Sequence, residues 1–100
     1  MKSRQPNKKE LEWMERIADF GCVICERTMR VHTPAEIHHI EGKTAPGSHL
    51  LTIPLCYNHH RGGADNDLYT SRHPFKRAFE KRYGSEYELL NYVRTELDQR

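Results

Sequence analysis

Apolar residues along the chain follow two rhythms. Between Lys8 and Phe20, Leu11, Met14, Ile17 and Ala18 recur at helical spacing, and Trp13 and Phe20 widen that face. The pattern predicts a helix from Lys8 to Phe20, capped by Asn7 and ended by Gly21. Trp13 reads as core packing. Residues 1–6 ahead of it read as a polar, mobile arm. A period of two appears at Leu50–Leu55, where Leu51, Ile53 and Leu55 alternate with Leu50, Thr52 and Pro54. That is a strand, and Pro54 marks an edge or a strand end. Glu36 to Ile40 reads as a second, shorter strand. Helical spacing returns after Pro74, with Phe75, Ala78, Phe79 and Tyr83 on one side and Gly84 as the stop. Ser85-Glu86-Tyr87-Glu88 has capping-box spacing. It opens a last helix that packs Leu89, Leu90, Val93 and Leu97. A short helix near Tyr57 carries His59 and His60. The connections are a tight turn at Cys22–Cys25, a polar stretch over 26–34 broken at Pro34, and loops at Gly42–Ser48 and Gly62–Thr70. The sum is a small α+β fold: an N-terminal helix, a two-stranded hairpin with a histidine-bearing helix, and two C-terminal helices.

Length and composition narrow this further. One hundred residues supply one domain, read as 7–100 behind the arm. At 36% hydrophobic the core is thin, which points to a metal as a supplementary clamp. No run approaches the ~18 apolar residues of a membrane span. The N-terminus lacks the apolar segment of an export signal, so a cytoplasmic location is expected. A net charge of +2 excludes a histone-like polycation but permits a local basic face. Three cysteines, an odd number without an export signal, fit metal ligation better than disulfides.

Two cysteine-led pairs carry the first piece of chemistry. Cys22-Val23-Ile24-Cys25 and Cys56-Tyr57-Asn58-His59 each place two residues between ligands, so both side chains of a pair can converge on one ion. Together they form a Cys3His set suited to tetrahedral zinc. Thirty residues lie between Cys25 and Cys56, so the ion would staple distant segments and contribute directly to folding.

Histidines carry the second. There are seven, with adjacent pairs at His38-His39 and His59-His60. Neighbours on a strand point to opposite faces, so His38 and His39 can serve one site only at a strand end. One could bind a metal while the other acts as general base, a task imidazole suits near neutral pH. On a helix, His59 and His60 diverge by about 100°, so they are assigned to different ions. His59 goes to the structural zinc and His60 to a second metal, with the swapped assignment as the competing possibility. His32 reads as an exposed loop residue. His49 divides evenly between turn packing and support of the active site.

The order Cys22-x-x-Cys25, His38-His39-Ile40, Leu55-Cys56-x-x-His59-His60 resembles the HNH (ββα-metal) endonucleases with an embedded zinc. The stretches Ile37 to Thr44, Pro46-Gly47-Ser48-His49, Leu55-Cys56, His73-Pro74-Phe75-Lys76, Phe79-Glu80 and Tyr83-Gly84 resemble the bacteriophage Ref recombination nucleases over roughly Cys22 to Leu90. The resemblance implies a ββα-metal core, a DNA substrate, and cutting directed by RecA filaments inside a bacterial host. It further implies His38 and His60 as ligands of a catalytic divalent metal, His39 as general base, and products with a 5′-phosphate and a 3′-hydroxyl.

Three departures from the pattern stand out. Leu51 occupies the place of the HNH asparagine, and His49 is the candidate substitute. Arg61 to Arg72 interrupt the helix that elsewhere carries another ligand, which leaves His73 as the candidate third. The basic N-terminal arm is short, with Lys2, Arg4, Lys8 and Lys9 only. An imidazole-rich ligand set suits zinc, nickel or manganese by softness, and Mg2+, Mn2+ or Zn2+ stand as the ion candidates. Lys43, Arg61, Arg72, Lys76 and Arg77 are candidate phosphate contacts, and a solvated face explains each of them singly as well. Asp65 and Asp67 could tune a ligand histidine or simply solubilise their loop. The alternative to an enzyme is a zinc-stapled DNA-binding or recombinase-docking module without catalysis. It leaves His38, His39, His60 and His73 unexplained.

Overall fold

The computed structural model describes residues 5–99, so Lys2 and Arg4 of the basic arm lie outside it. The first helix, α1, spans Lys8–Phe20. Asn7 and Glu10 form a complete capping box, each side chain bonding the other's backbone N–H. Ile17 and Phe20 are buried, but Leu11 is exposed, so the buried face is narrower than the apolar pattern. Trp13 is partly buried against the core and donates its Nε1–H to Thr52 Oγ1 at 3.0 Å. Gly21 ends the helix at φ +85.

The polar stretch after Cys22 contains a helix that the sequence pattern does not announce, α2 at Val23–Met29. Cys22 sits at its N-cap, and its carbonyl accepts from Glu26 N at 3.0 Å. Burial of Val23 and Ile24 against the sheet supplies the tertiary support that seven residues of weak periodicity lack. The Cys22–Cys25 turn is therefore the first turn of a helix. Arg30, in the left-handed region, closes it.

Strand β1 covers Glu36–His39 and pairs antiparallel with β2, Thr52–Leu55. The register is Glu36 to Leu55, Ile37 to Pro54, His38 to Ile53 and His39 to Thr52. A 3-10 turn at Ser48–Leu50 replaces the first part of the expected Leu50–Leu55 strand. Ile40 lies past the end of β1, although its N–H still bonds Leu51 O at 3.0 Å. All of β2 is buried, because α1, α2 and a C-terminal helix close around it.

Helix α3, Tyr57–His60, follows β2 directly. The chain then loops out and returns against α3: Arg72 N donates to His59 O and His73 N to His60 O, both at 2.8 Å. Ser71, fully buried, bonds Asn58 O, and Thr70 bonds Asp65. Helix α4 spans Lys76–Tyr83. Pro74 does not open it: the His73–Pro74 peptide is cis, and the helix begins two residues later with Phe75 as N-cap. Phe79 is its buried anchor, while Phe75 remains partly exposed. Helix α5, Glu86–Asp98, starts at Ser85, whose side chain accepts from Glu88 N. It buries Leu89, Leu90, Val93 and Leu97 in the shared core with Ile17, Phe20, Val23, Ile24, Ile53, Leu55 and Phe79. No helix among the described residues is long and apolar enough to cross a membrane.

Candidate metal and active site

Four ligand-bearing side chains meet between α2 and α3. Cys22 and Cys25 come from the first turn of α2, Cys56 from the N-cap of α3, and His59 from the third position of α3. All four are buried. His59 Nδ1 lies 3.2 Å from Cys56 Sγ, 3.6 Å from Cys22 Sγ and 3.7 Å from Cys25 Sγ, and Cys25 and Cys56 are 3.9 Å apart. A tetrahedral zinc with Zn–S near 2.3 Å and Zn–N near 2.0 Å holds its ligand atoms about 3.5–3.8 Å apart. The cluster can hold such an ion. Its electrostatics favour one: Cys56 is pulled down to about 3 by the Cys22 thiol and then by His59, whereas Cys22 is pushed far up by Cys56 and by burial. Cys25 is raised chiefly by burial. A divalent cation bound there would stabilise the thiolate form of all three cysteines. His59 is wedged edge-on against Tyr69 and Tyr83, which fixes its ring.

A second cluster lies on the other side of α3. His38 of β1, His60 of α3 and His73 of the returning loop stack around one point, with ring centroids 5.1–5.3 Å apart. One nitrogen from each lies within 4.8 Å of the others, the spacing of a metal ligand set. His60 Nδ1 bonds Glu36 Oε1 at 2.8 Å, which orients the ring and leaves Nε2 free for an ion. Glu36 is itself gripped by Arg61 through a two-pronged contact and is held down to about 2, by Arg61 first and His60 second. Burial is the main cause that lowers both His60 and His73, which favours the neutral imidazole a metal requires. His38 Nε2 is buried with no hydrogen-bond partner among the described residues. Its nearest polar neighbour is Glu86 Oε1 at 3.4 Å, a long contact, and an ion would satisfy such a buried nitrogen better. The three imidazoles therefore fit a divalent metal.

His39 ends β1, and strand alternation turns it away from His38. Its Nε2 meets His49 Nδ1 at 2.9 Å. Its Nδ1 is shielded and has no partner. Burial first, then His49, Lys43 and His38, lower it to about 4, so it is an unprotonated base at neutral pH.

The cationic candidates divide. Lys43, Lys76 and Arg77 are exposed. Arg61 is committed to Glu36, and Arg72 is buried against Glu86. Asp65 bonds Thr70, and His32 faces Asp19 O at 3.1 Å from an exposed position. Two acidic residues at the histidine cluster escaped the sequence reading, Glu36 and Glu86. The period of two could have found Glu36, which shares a strand face with His38. Nothing local in the sequence connects Glu86 to the histidines.

The chain is thus a small α+β protein with two side-chain clusters, Cys22-Cys25-Cys56-His59 and His38-His60-His73, that could each hold a metal ion. A family model described as recombination enhancement, RecA-dependent nuclease matches residues 6–98, and the chain belongs to that family. Membership makes it a nuclease with a role in recombination.

Proposed function

We propose that the chain is a metal-dependent DNA endonuclease of the HNH (ββα-metal) type, phage-encoded and directed to its substrate by RecA filaments. The observation that carries this reading is the convergence of His38, His60 and His73, with His39 following His38 at the end of β1. Strands β1 and β2 with α3 then constitute the ββα-metal core, and the Cys3His zinc braces it from behind.

When bound, a divalent ion at the three histidines supplies Lewis-acid stabilisation of charge developing on the phosphate and the leaving oxygen. The protein's own residues do the rest. The hydrogen bond between His49 Nδ1 and His39 Nε2 at 2.9 Å holds the His39 ring in place. His39 takes the proton of the attacking water. His49 thus fills the orienting place that Leu51 cannot. Glu36 holds the His60 ring at its angle. Lys43, Lys76 and Arg77, exposed cations close to His39 and His73 in sequence, engage backbone phosphates.

Metal-dependent cleavage of plasmid and single-stranded DNA, bare and RecA-coated, tests the reading with wild type and His39→Ala. Cutting by wild type that falls by about 10²–10⁴-fold in His39→Ala, with DNA binding intact, is the expected result. Cutting confined to RecA-coated DNA establishes the filament requirement. DNA binding without cutting under any divalent ion overturns the enzyme and leaves a zinc-stapled binding module.

A further inference from the structure

We infer that Trp13 and Thr52 are positioning residues for the His39–His49 pair, because they fix the 3-10 turn that carries His49. The inference rests on the assignment of His39 as general base above and deepens it. Thr52 opens β2, is fully buried, and stands opposite His39 in the sheet register. A buried hydroxyl is costly unless it is hydrogen-bonded, and valine has the same shape and suits a strand without that cost. The Thr52 hydroxyl is paired on both sides. Its Oγ1 accepts from Trp13 Nε1–H at 3.0 Å and donates to His49 O at 3.1 Å.

The direction of both bonds follows from the donors. An indole N–H only donates, so Thr52 must accept from it, and the single hydroxyl proton is left to point at His49 O. The two bonds form a directed chain from α1 to the backbone of the residue whose ring meets His39. That ring contact is His49 Nδ1 to His39 Nε2 at 2.9 Å. The turn itself, Ser48–Leu50, has three residues, and a 3-10 turn so short has little stability of its own. Its surroundings hold it: Ile40 N donates to Leu51 O at 3.0 Å, and α1 packs against it. Trp13 and Thr52 add a side-chain link from that helix to the carbonyl of His49 itself. Both act on His39 through His49, at one remove from the reacting water. A base must sit within hydrogen-bond reach of its proton, and a displacement of about 1 Å caused far from the chemistry can cost about 100-fold in rate.

The test compares wild type with Thr52→Val, Thr52→Ser, Trp13→Phe and the Trp13→Phe/Thr52→Val double variant, each checked for folding by its melting curve. Steady-state DNA cleavage is the first readout. We expect Thr52→Val and Trp13→Phe to lower kcat by about 10–100-fold with KM nearly unchanged, and Thr52→Ser, which keeps the hydroxyl, to recover most of that loss. The double variant should lose no more than Thr52→Val alone, because both side chains belong to one chain of bonds. NMR of the slowly exchanging imidazole N–H proton shared by His39 and His49 is the second readout, and it needs no activity. That proton should be present in wild type and Thr52→Ser and lost in Thr52→Val. Wild-type kcat or an unchanged imidazole proton in Thr52→Val overturns the inference, as does absence of that proton from wild type. Should Thr52→Val fail to fold, Trp13→Phe carries the same comparison. If wild type cuts no DNA, or His39→Ala cuts as well as wild type, the general-base reading falls, and the imidazole proton still decides whether Trp13 and Thr52 hold the pair.

Discussion

His59 and His60 are adjacent in sequence and should behave oppositely when truncated. His59 Nδ1 faces three thiols at 3.2–3.7 Å, so His59→Ala removes one of four ligands from the buried cluster. A structural zinc is worth about 10–16 kcal/mol in small zinc-dependent folds. A chain this size has about 5–15 kcal/mol of total stability. Forfeiting only about 3 kcal/mol of the zinc contribution lowers Tm by about 12–24 °C at the usual 4–8 °C per kcal/mol. His60 is half-buried, and its partner Glu36 keeps Arg61 when the ring is gone. His60→Ala should cost less than about 1.5 kcal/mol and leave the Cys3His zinc in place. The assay is thermal unfolding by circular dichroism with metal content measured on the same samples. A His59→Ala protein that keeps its zinc and melts within about 3 °C of wild type would refute the assignment. So would loss of that zinc in His60→Ala.

Three further outcomes follow from particular contacts. His49→Gln, which retains a hydrogen-bonding group, should keep more kcat than His49→Phe at matched Tm, with about a tenfold gap; equal losses would make His49 a packing residue only. Gly21→Ala should destabilise by more than about 1 kcal/mol, measured by urea unfolding, because φ is +85 and the new Cβ would stand 2.8 Å from His32 Cδ2 and 2.9 Å from Thr33 O. Lys76→Ala with Arg77→Ala should weaken DNA binding uniformly across sequences and flatten the log K against log[salt] slope by about 2, whereas an unchanged slope would remove both residues from the interface.

The sequence by itself determined whatever depends on near neighbours. Helices α1 and α5 follow from apolar residues at helical spacing, with Asn7 and Ser85 as caps, because those forces act within a turn or two. The paired spacings Cys22 to Cys25 and Cys56 to His59 marked a metal cluster for the same reason. Each pair is a local device, and only its joining is long-range. Local pattern also assigned the two histidines of α3 to different clusters, since about 100° of helix rotation separates them.

Tertiary structure alone decided the rest. Helix α2 exists because Val23 and Ile24 find the sheet, a contact that its own periodicity does not report. Helix α4 starts at Lys76 because the chain from Arg61 to Pro74 is tied back onto α3 through Ser71, Arg72 and His73. That same return places His73 beside His38 and His60, across a separation no spacing rule covers. It buries Arg72, which sequence offers equally well to DNA, against Glu86. His39 finds His49 because a 3-10 turn folds under the end of β1. For α2 the deciding term is apolar burial; around the histidines it is burial of a polar or charged group, whose cost and partner are set by which distant segments exclude water together.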